Sequence, residues 1–169
     1  FEKEILDDLI LFIGKDPLVA HNINFDKNFL DALCVRYGKE PNENLIYDTL
    51  QLSRCMAFEE AVFNLGYISE YFGLSSSGSH RAEKDTENCG KIFLDLIEEL
   101  SSYPLEIITK VLSLVKKTKL ANKNLFNNIA NLMSSKGVLN GNLSKSKLDN
   151  SLKPNTFFSQ GTNNIENIK

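Results

Sequence analysis

The chain has 169 residues, a hydrophobic fraction of 42% and a formal net charge of −3. This length fits one ordinary domain with an appendage and excludes a second enzyme domain. No apolar run approaches the ~18 residues of a transmembrane helix, so the composition indicates a soluble protein with a packed core. The cysteines Cys34, Cys55 and Cys89 are widely spaced and form no C-x-x-C pair. They indicate neither a disulfide framework nor a zinc site, and they favour a reducing, cytoplasmic compartment.

The charge is distributed unevenly along the sequence. Residues 1–100 carry 9 Lys and Arg against 19 Asp and Glu, whereas residues 101–169 carry 10 against 3. An acidic first part suits a site that gathers divalent cations, and a basic second part suits contact with phosphates. A solvated extension rich in Lys and Asn explains the second part equally well.

The sequence begins with a helical pattern already under way. Phe1, Ile5 and Leu9 recur at helical spacing, and Gly14 followed by Asp16-Pro17 predicts the end of this first helix. The pattern starts without an initiator Met or a signal peptide. We therefore expect the sequence to be a piece of a longer protein.

Two short apolar runs predict strands, and each run leads into a helix. The run 17–21 is typical of a buried strand, and Asn24 is placed to cap the helix that follows. Asp26 falls in the first turn of that helix. The run 45–47 predicts a second strand that passes through Asp48 into another helix. The predicted apolar face of the helix after the first strand comprises Phe25, Phe29, Leu33 and Tyr37.

Helical patterns dominate the rest of the sequence as far as about Ser134. A helix from Asn64 is closed by Gly73, and a loop rich in Ser and Gly then delivers His80. Pro104 suits the start of a further amphipathic helix. The long helix after His80 has a predicted inner stripe of Ala82, Cys89, Ile92, Phe93, Leu96 and Leu100.

Two segments carry the chemistry, and together they resemble a known family. His21-Asn22-x-x-Phe25-Asp26 is similar to the second motif, and His80-Arg81-Ala82-x-x-Asp85 to the third motif, of DEDDh-type 3′–5′ exonucleases. That family includes the proofreading epsilon subunit of bacterial DNA polymerase III and has an RNase H-like α/β fold. The segments 47–50 and 65–74 match the pattern between the two motifs. Residues 1–100 thus resemble the C-terminal two-thirds of such a domain.

The resemblance implies that two Mg²⁺ or Mn²⁺ ions assist hydrolysis of a terminal phosphodiester bond. It makes Asp26 and Asp85 the metal ligands, since Mg²⁺ prefers carboxylate oxygens, and His80 the base that deprotonates the attacking water. It places His21 and Asn22 beside the site and Phe25 near the terminal nucleotide, so these three residues are the candidates for nucleic-acid binding.

Each of these residues also has an ordinary structural interpretation. Asp26 could be an acid that favours a helix start, Asp85 a surface acid and His80 a solvated loop residue. A core position is the favoured alternative for Phe25. Asp48 is interpreted as a strand-end or N-cap residue rather than a catalytic one.

The sequence departs from the family pattern at the first motif, an Asp-x-Glu pair on the opening strand. Its only Asp-x-Glu is Asp85-Thr86-Glu87, on a predicted helix where side chains two positions apart diverge by ~200°. The expected fold is therefore an incomplete RNase H-like α/β fold that lacks its first three strands. Two strands seldom form a stable sheet alone, so we expect exposed apolar strand edges where the other strands belong.

The sequence predicts three parts: a partial exonuclease domain over 1–100, a helical extension over 101–133, and a polar linker or disordered tail over 134–169. The parent protein is expected to degrade nucleic acid from a 3′ end, with single-stranded DNA as the favoured substrate. The chain alone is expected to bind metal feebly and to turn over no substrate. The alternatives are a non-catalytic interaction module and an exonuclease domain joined to a polymerase or a DinG-like helicase. The sequence contains no G-x-x-x-x-G-K-[ST] phosphate loop, so the helicase alternative depends on analogy alone.

Overall fold

The computed structural model describes residues 2–75 and 81–135. Within these ranges the chain is a mostly helical α/β protein, and none of their helices is long and apolar enough to cross a bilayer. The elements in chain order are α1 (Glu2–Ile13), β1 (Leu18–Ala20), α2 (Ile23–Arg36), β2 (Ile46–Asp48), α3 (Thr49–Met56), α4 (Leu65–Tyr71), α5 (Ala82–Ser102), α6 (Leu105–Val115) and α7 (Lys123–Ser135).

The two strands form a small parallel sheet. Leu18 is opposite Ile46 and Ala20 is opposite Asp48, and α2 makes the crossover between the strands. Among the described residues each strand has a single strand neighbour. Such a short pair depends on the helices around it for its order.

The main hydrophobic core surrounds α5. Tyr47 of β2 stacks on Phe93 with ring centroids 5.4 Å apart, and the buried side chains of α6 and α7 join the same cluster. The core is therefore continuous across residue 100, where the sequence predicts a domain boundary, and that boundary stays a prediction. The cluster includes Tyr47, Leu52, Ile68, Ile92, Phe93, Leu96, Ile108, Leu112, Leu125, Phe126, Ile129 and Met133.

A second, smaller cluster attaches α1 to α2 and β1. Leu6, Leu30 and Cys34 are buried there, and Ile10 and Leu18 pack against them. α1 therefore packs on the face of α2 that carries Leu30 and Cys34.

Several predictions of helix ends are confirmed. Gly14 directly follows α1 and Gly73 lies two residues after the end of α4, and both have positive φ angles, 53° and 69°, which L side chains rarely adopt. Asp48 and Asn64 cap α3 and α4 with their side chains, and α6 begins directly after Pro104.

The predicted start of α2 is wrong, and its predicted inner face is wrong at Phe25 and Phe29, whereas Leu33 and Tyr37 do pack against the smaller cluster. The helix begins at Ile23, so Asn24 lies inside it and Asn22 is the N-cap residue, without a side-chain cap bond. Ile23 is buried, and Phe25 is 73% exposed because two positions rotate a side chain by ~200°. Phe29, one turn further along, is 65% exposed.

Three smaller differences concern α5, the strand edges and the tail. Ala82, the first residue of α5, is exposed rather than part of the inner stripe. The residues of β1 are half-buried rather than exposed, and most of the exposed large apolar side chains lie on helices, for example Phe12 of α1, although Leu45 directly before β2 is exposed as well. α7 extends to Ser135, two residues past the predicted boundary. The remainder of the predicted tail, 136–169, lies outside the described residues.

We predict that Ile108→Ala destabilises the protein by about 2–5 kcal/mol, because Ile108 is 1% exposed and its truncation leaves a cavity in the shared core. The matched control is Leu114→Ala on the same helix, where a side chain that is 75% exposed should contribute no more than about 0.5 kcal/mol. Urea denaturation followed by circular dichroism measures both. Equal midpoints for the two variants would contradict a core shared by α6.

Candidate functional site

The candidate site lies where the two parallel strands end. β1 is followed by His21-Asn22 and then α2, and β2 ends at Asp48, directly before α3. The carboxyl ends of parallel strands meet at one edge of a sheet, where ligands of open α/β sheets commonly bind. The structure accordingly brings the residues after β1 together with those at the end of β2.

Asp48 connects these segments through its carboxylate. Its Oδ1 atom accepts backbone N–H bonds from Leu50 at 2.9 Å and Gln51 at 3.3 Å, which caps α3, and from Asn22 at 3.1 Å. The carboxylate is buried, so these bonds replace its hydration. Asp48 is therefore the structural residue that the sequence predicts, and it also fixes the turn between β1 and α2.

His21 ties the same region to the loop before α4. Its Nε2 lies 2.6 Å from the Phe63 carbonyl, and its Nδ1 lies 3.0 Å from the Thr49 hydroxyl. A carbonyl only accepts, so Nε2 carries the proton and Nδ1 accepts from Thr49 in the neutral ring. Burial lowers the pKa of His21, against the smaller opposing effects of the Phe63 bond and the Asp48 charge, and this favours the neutral ring. Both ring nitrogens are satisfied inside the protein, and a contact of His21 with nucleic acid stays a prediction.

Asp26 and Asp85 lie in the first turns of α2 and α5. Asp26 is exposed and Asp85 is half-buried. Cys89 lies one helical turn after Asp85 and therefore on the same face of α5. Burial raises the pKa of the Cys89 thiol, the contact with the Thr49 hydroxyl opposes this, and the charges of Asp26 and Asp48 make smaller contributions in the same direction as burial.

The chemistry of the two carboxylates suits a hard divalent cation, which takes oxygen ligands. Within residues 2–75 and 81–135, no group of three or more His, Cys, Asp and Glu side chains is arranged to hold a metal ion. His80, the predicted base, lies outside the described residues. The structure therefore places Asp26 and Asp85 but offers no position for His80.

Phe25 and Asn22 flank Asp26 on the exposed side. The predicted core position of Phe25 is wrong, since most of the ring is open to solvent one residue before Asp26. Asn22 is exposed and has a left-handed backbone (φ 74°, ψ 54°), a conformation that Asn tolerates better than most residues. Both side chains are therefore open to solvent near Asp26.

Two buried asparagines have roles that the sequence analysis missed. Asn88 of α5 donates from Nδ2 to the Ser75 carbonyl at 3.1 Å, which ties the backbone at Ser75 to this helix. Asn122, before α7, bonds both backbone groups of Asp48. Asn88 could have been found from the sequence, because a polar residue within the apolar stripe of α5 indicates a buried hydrogen-bonding role. Asn122 looks like an ordinary residue at a helix start, and no local pattern distinguishes it.

We predict that acid destabilises the protein through His21. A lowered pKa in the folded state means that the stabilisation is complete above about pH 6.5 and is lost as the pH falls through the folded-state pKa. The chain has two histidines, so the measurement uses a His80→Ala background. Urea midpoints between about pH 7.5 and 5 should fall in that background, and the fall should be smaller when His21→Gln is added. The same pH dependence in both variants would exclude His21 as its source.

Comparisons with known proteins identify the family to which the sequence is related. The family model described as Exonuclease (RNase_T) matches residues 1–93. The DNA polymerase III PolC-type proteins of Staphylococcus haemolyticus and Staphylococcus aureus are each 33% identical over 98 residues. The aligned region is 58% of this chain and 7% of each relative, so the chain aligns with a small part of those polymerases.

No solved structure matches the chain with significance. The family model covers more than half of the sequence and includes both motifs, so the resemblance to exonucleases associated with DNA polymerase III is confirmed. The chain belongs to the exonuclease family.

Proposed function

We propose that the chain is part of a metal-dependent 3′–5′ exonuclease that removes nucleotides from the 3′ end of single-stranded DNA. The observation that carries this proposal is the placement of Asp26 and Asp85 in the first turns of α2 and α5, the helix that follows β1 and the long helix of the main core. Both residues lie inside the region that matches the exonuclease family. The similarity to PolC-type polymerases favours a setting in DNA replication or repair, with a polymerase module as the partner.

In this proposal each side chain has a distinct task. Asp26 and Asp85 hold Mg²⁺ or Mn²⁺ through carboxylate oxygens, and such ions, when bound, neutralise the charge that develops on the attacking and leaving oxygens. His80 takes a proton from the attacking water at an imidazole nitrogen, since an imidazole pKa near ~6.5 suits proton transfer at neutral pH. The exposed ring of Phe25 stacks on the terminal base.

We further propose that this site is completed by carboxylates from a segment outside the present sequence. The family resemblance requires an Asp-x-Glu pair on a strand, and β1 pairs only with β2 among the described residues. A strand that hydrogen-bonds to the other edge of β1 would carry acidic side chains to the same sheet edge as Asp26. The chain alone is then expected to bind metal weakly.

Expressed within its complete reading frame, the protein should shorten a 5′-labelled single-stranded DNA from its 3′ end when Mg²⁺ or Mn²⁺ is present. Asp26→Ala, Asp85→Ala and His80→Ala should each reduce the rate by about 10²-fold or more, because each removes a metal ligand or the base. The matched control is Glu83→Ala, which removes an exposed acid from the same first turn of α5 as Asp85. Gel electrophoresis of the products measures the rates. Degradation that persists in EDTA, or in Asp26→Ala, would contradict the proposed site.

The same assay on the 169-residue chain tests the proposal that carboxylates outside this sequence complete the site. We expect no measurable shortening of the DNA under conditions where the complete protein is active. Robust Mg²⁺-dependent degradation by the chain alone would show that its own residues complete the site.

A further inference from the structure

We infer that Asn122 is a positioning residue for the candidate site: through Asp48 and Asn22 it fixes the start of α2 and so the place of Asp26. This inference rests on the proposed function, because it assigns the metal-binding role to Asp26. Asn122 lies outside the matched family region, 1–93. The α6–α7 segment (Leu105–Ser135) would thereby take part in the site without contacting substrate.

The first link is the pairing of Asn122 with the backbone of Asp48. Asn122 is 2% exposed; its Oδ1 accepts the Asp48 N–H at 2.9 Å, and its Nδ2 donates to the Asp48 carbonyl at 2.9 Å. One primary amide thus supplies the donor and the acceptor that a neighbouring strand would give at this position of β2. Loss of the side chain would leave two buried backbone groups without their partner.

The second link is the Asp48 carboxylate. Its Oδ1 accepts the Asn22 N–H at 3.1 Å, across the gap between the ends of the two strands. The backbone and the side chain of Asp48 are therefore held from opposite directions, by Asn122 and by the N–H groups of Asn22, Leu50 and Gln51. A shift of the Asp48 backbone would move the acceptor away from Asn22.

The third link is the turn between β1 and α2. Asn22 is the one non-glycine residue with a positive φ among the described residues, and its N–H bond to Asp48 holds this unfavourable conformation. The conformation sets the direction in which α2 leaves β1. Asp26 follows one helical turn later, so its distance from α5 depends on Asn22.

The anchor for these links is the main core. α7 begins immediately after Asn122, and Leu125, Phe126 and Ile129 are buried in the cluster that also contains α5. Asn122 therefore holds Asp48 relative to the same helix that carries Asp85. The two carboxylates are positioned from one rigid reference, which is what a shared metal ion needs.

The experiment compares Asn122→Ala with Ile129→Val in the full chain, at a temperature where both variants are folded by circular dichroism. Ile129→Val shortens a buried side chain of α7 and leaves the Asn122 amide in place. NMR measures the chemical shift of the Asn22 amide, and Mn²⁺ titration measures the midpoint of paramagnetic broadening at Asp26 and Asp85. We expect Asn122→Ala to shift the Asn22 amide and raise the Mn²⁺ midpoint about tenfold, as for other residues that orient ligands, and Ile129→Val to do neither.

An Asn22 amide unchanged by Asn122→Ala, or equal changes in both variants, would overturn the positioning role. If the unaltered chain shows no broadening at Asp26 and Asp85, weak metal binding by the chain alone is contradicted, and the Asn22 amide still decides whether Asn122 fixes the start of α2.

Asn122→Asp is the second variant in case Asn122→Ala does not fold. It keeps the side-chain size and the acceptor for the Asp48 N–H, and it removes the donor to the Asp48 carbonyl.

A Mg²⁺ titration of the unaltered chain gives an independent measurement. The Asn122 side-chain amide should shift with the same midpoint as the Asp26 amide, while that of exposed Asn124 should not. An unmoved Asn122 amide during Mg²⁺ binding at Asp26 would overturn the inference.

Discussion

The hydrogen bonds made by Asp48 are the constraint on which the rest of the site depends. One buried carboxylate oxygen accepts three backbone N–H groups from two different segments, and the backbone of the same residue is paired with Asn122. A short parallel pair with few ladder bonds gains little stability from its own pairing. Asp48 compensates by joining the end of β2 to the turn after β1 and to the start of α3.

His21 and the main core complete this arrangement. The neutral imidazole connects Thr49 at the start of α3 to the Phe63 carbonyl before α4, so the loop between these helices is fixed by a side chain from the end of β1. α5 packs under the sheet and contributes Cys89, whose Sγ lies 3.6 Å from the Thr49 hydroxyl. The polar contacts at the strand ends thus lie directly on the face of α5 that carries Asp85.

Much of the local structure was predictable because its causes are local. The helix stop at Gly14, the cap at Asp48 and the Pro104 start depend on residues within a few positions of the element that they end or begin. The start of α2 was not predictable in this way. Asn24 has the residue type of a cap, but the Asn22 N–H bond to Asp48 sets the start of the helix, and its partner lies 26 residues away. The shifted start turns Ile23 inward and leaves Phe25 exposed.

The sequence by itself determined the exonuclease family, because two motifs in the right order with matching segments between them are a property of residue identity and spacing alone. It also determined which carboxylates, Asp26 and Asp85, are candidates for metal binding. Only the tertiary structure decided what surrounds them. The neutral state of His21, the exposure of Phe25, and the bonds from Asn122 to Asp48 across 74 positions depend on contacts between distant segments. Such contacts form when the core brings those segments together, and local sequence patterns therefore do not predict them.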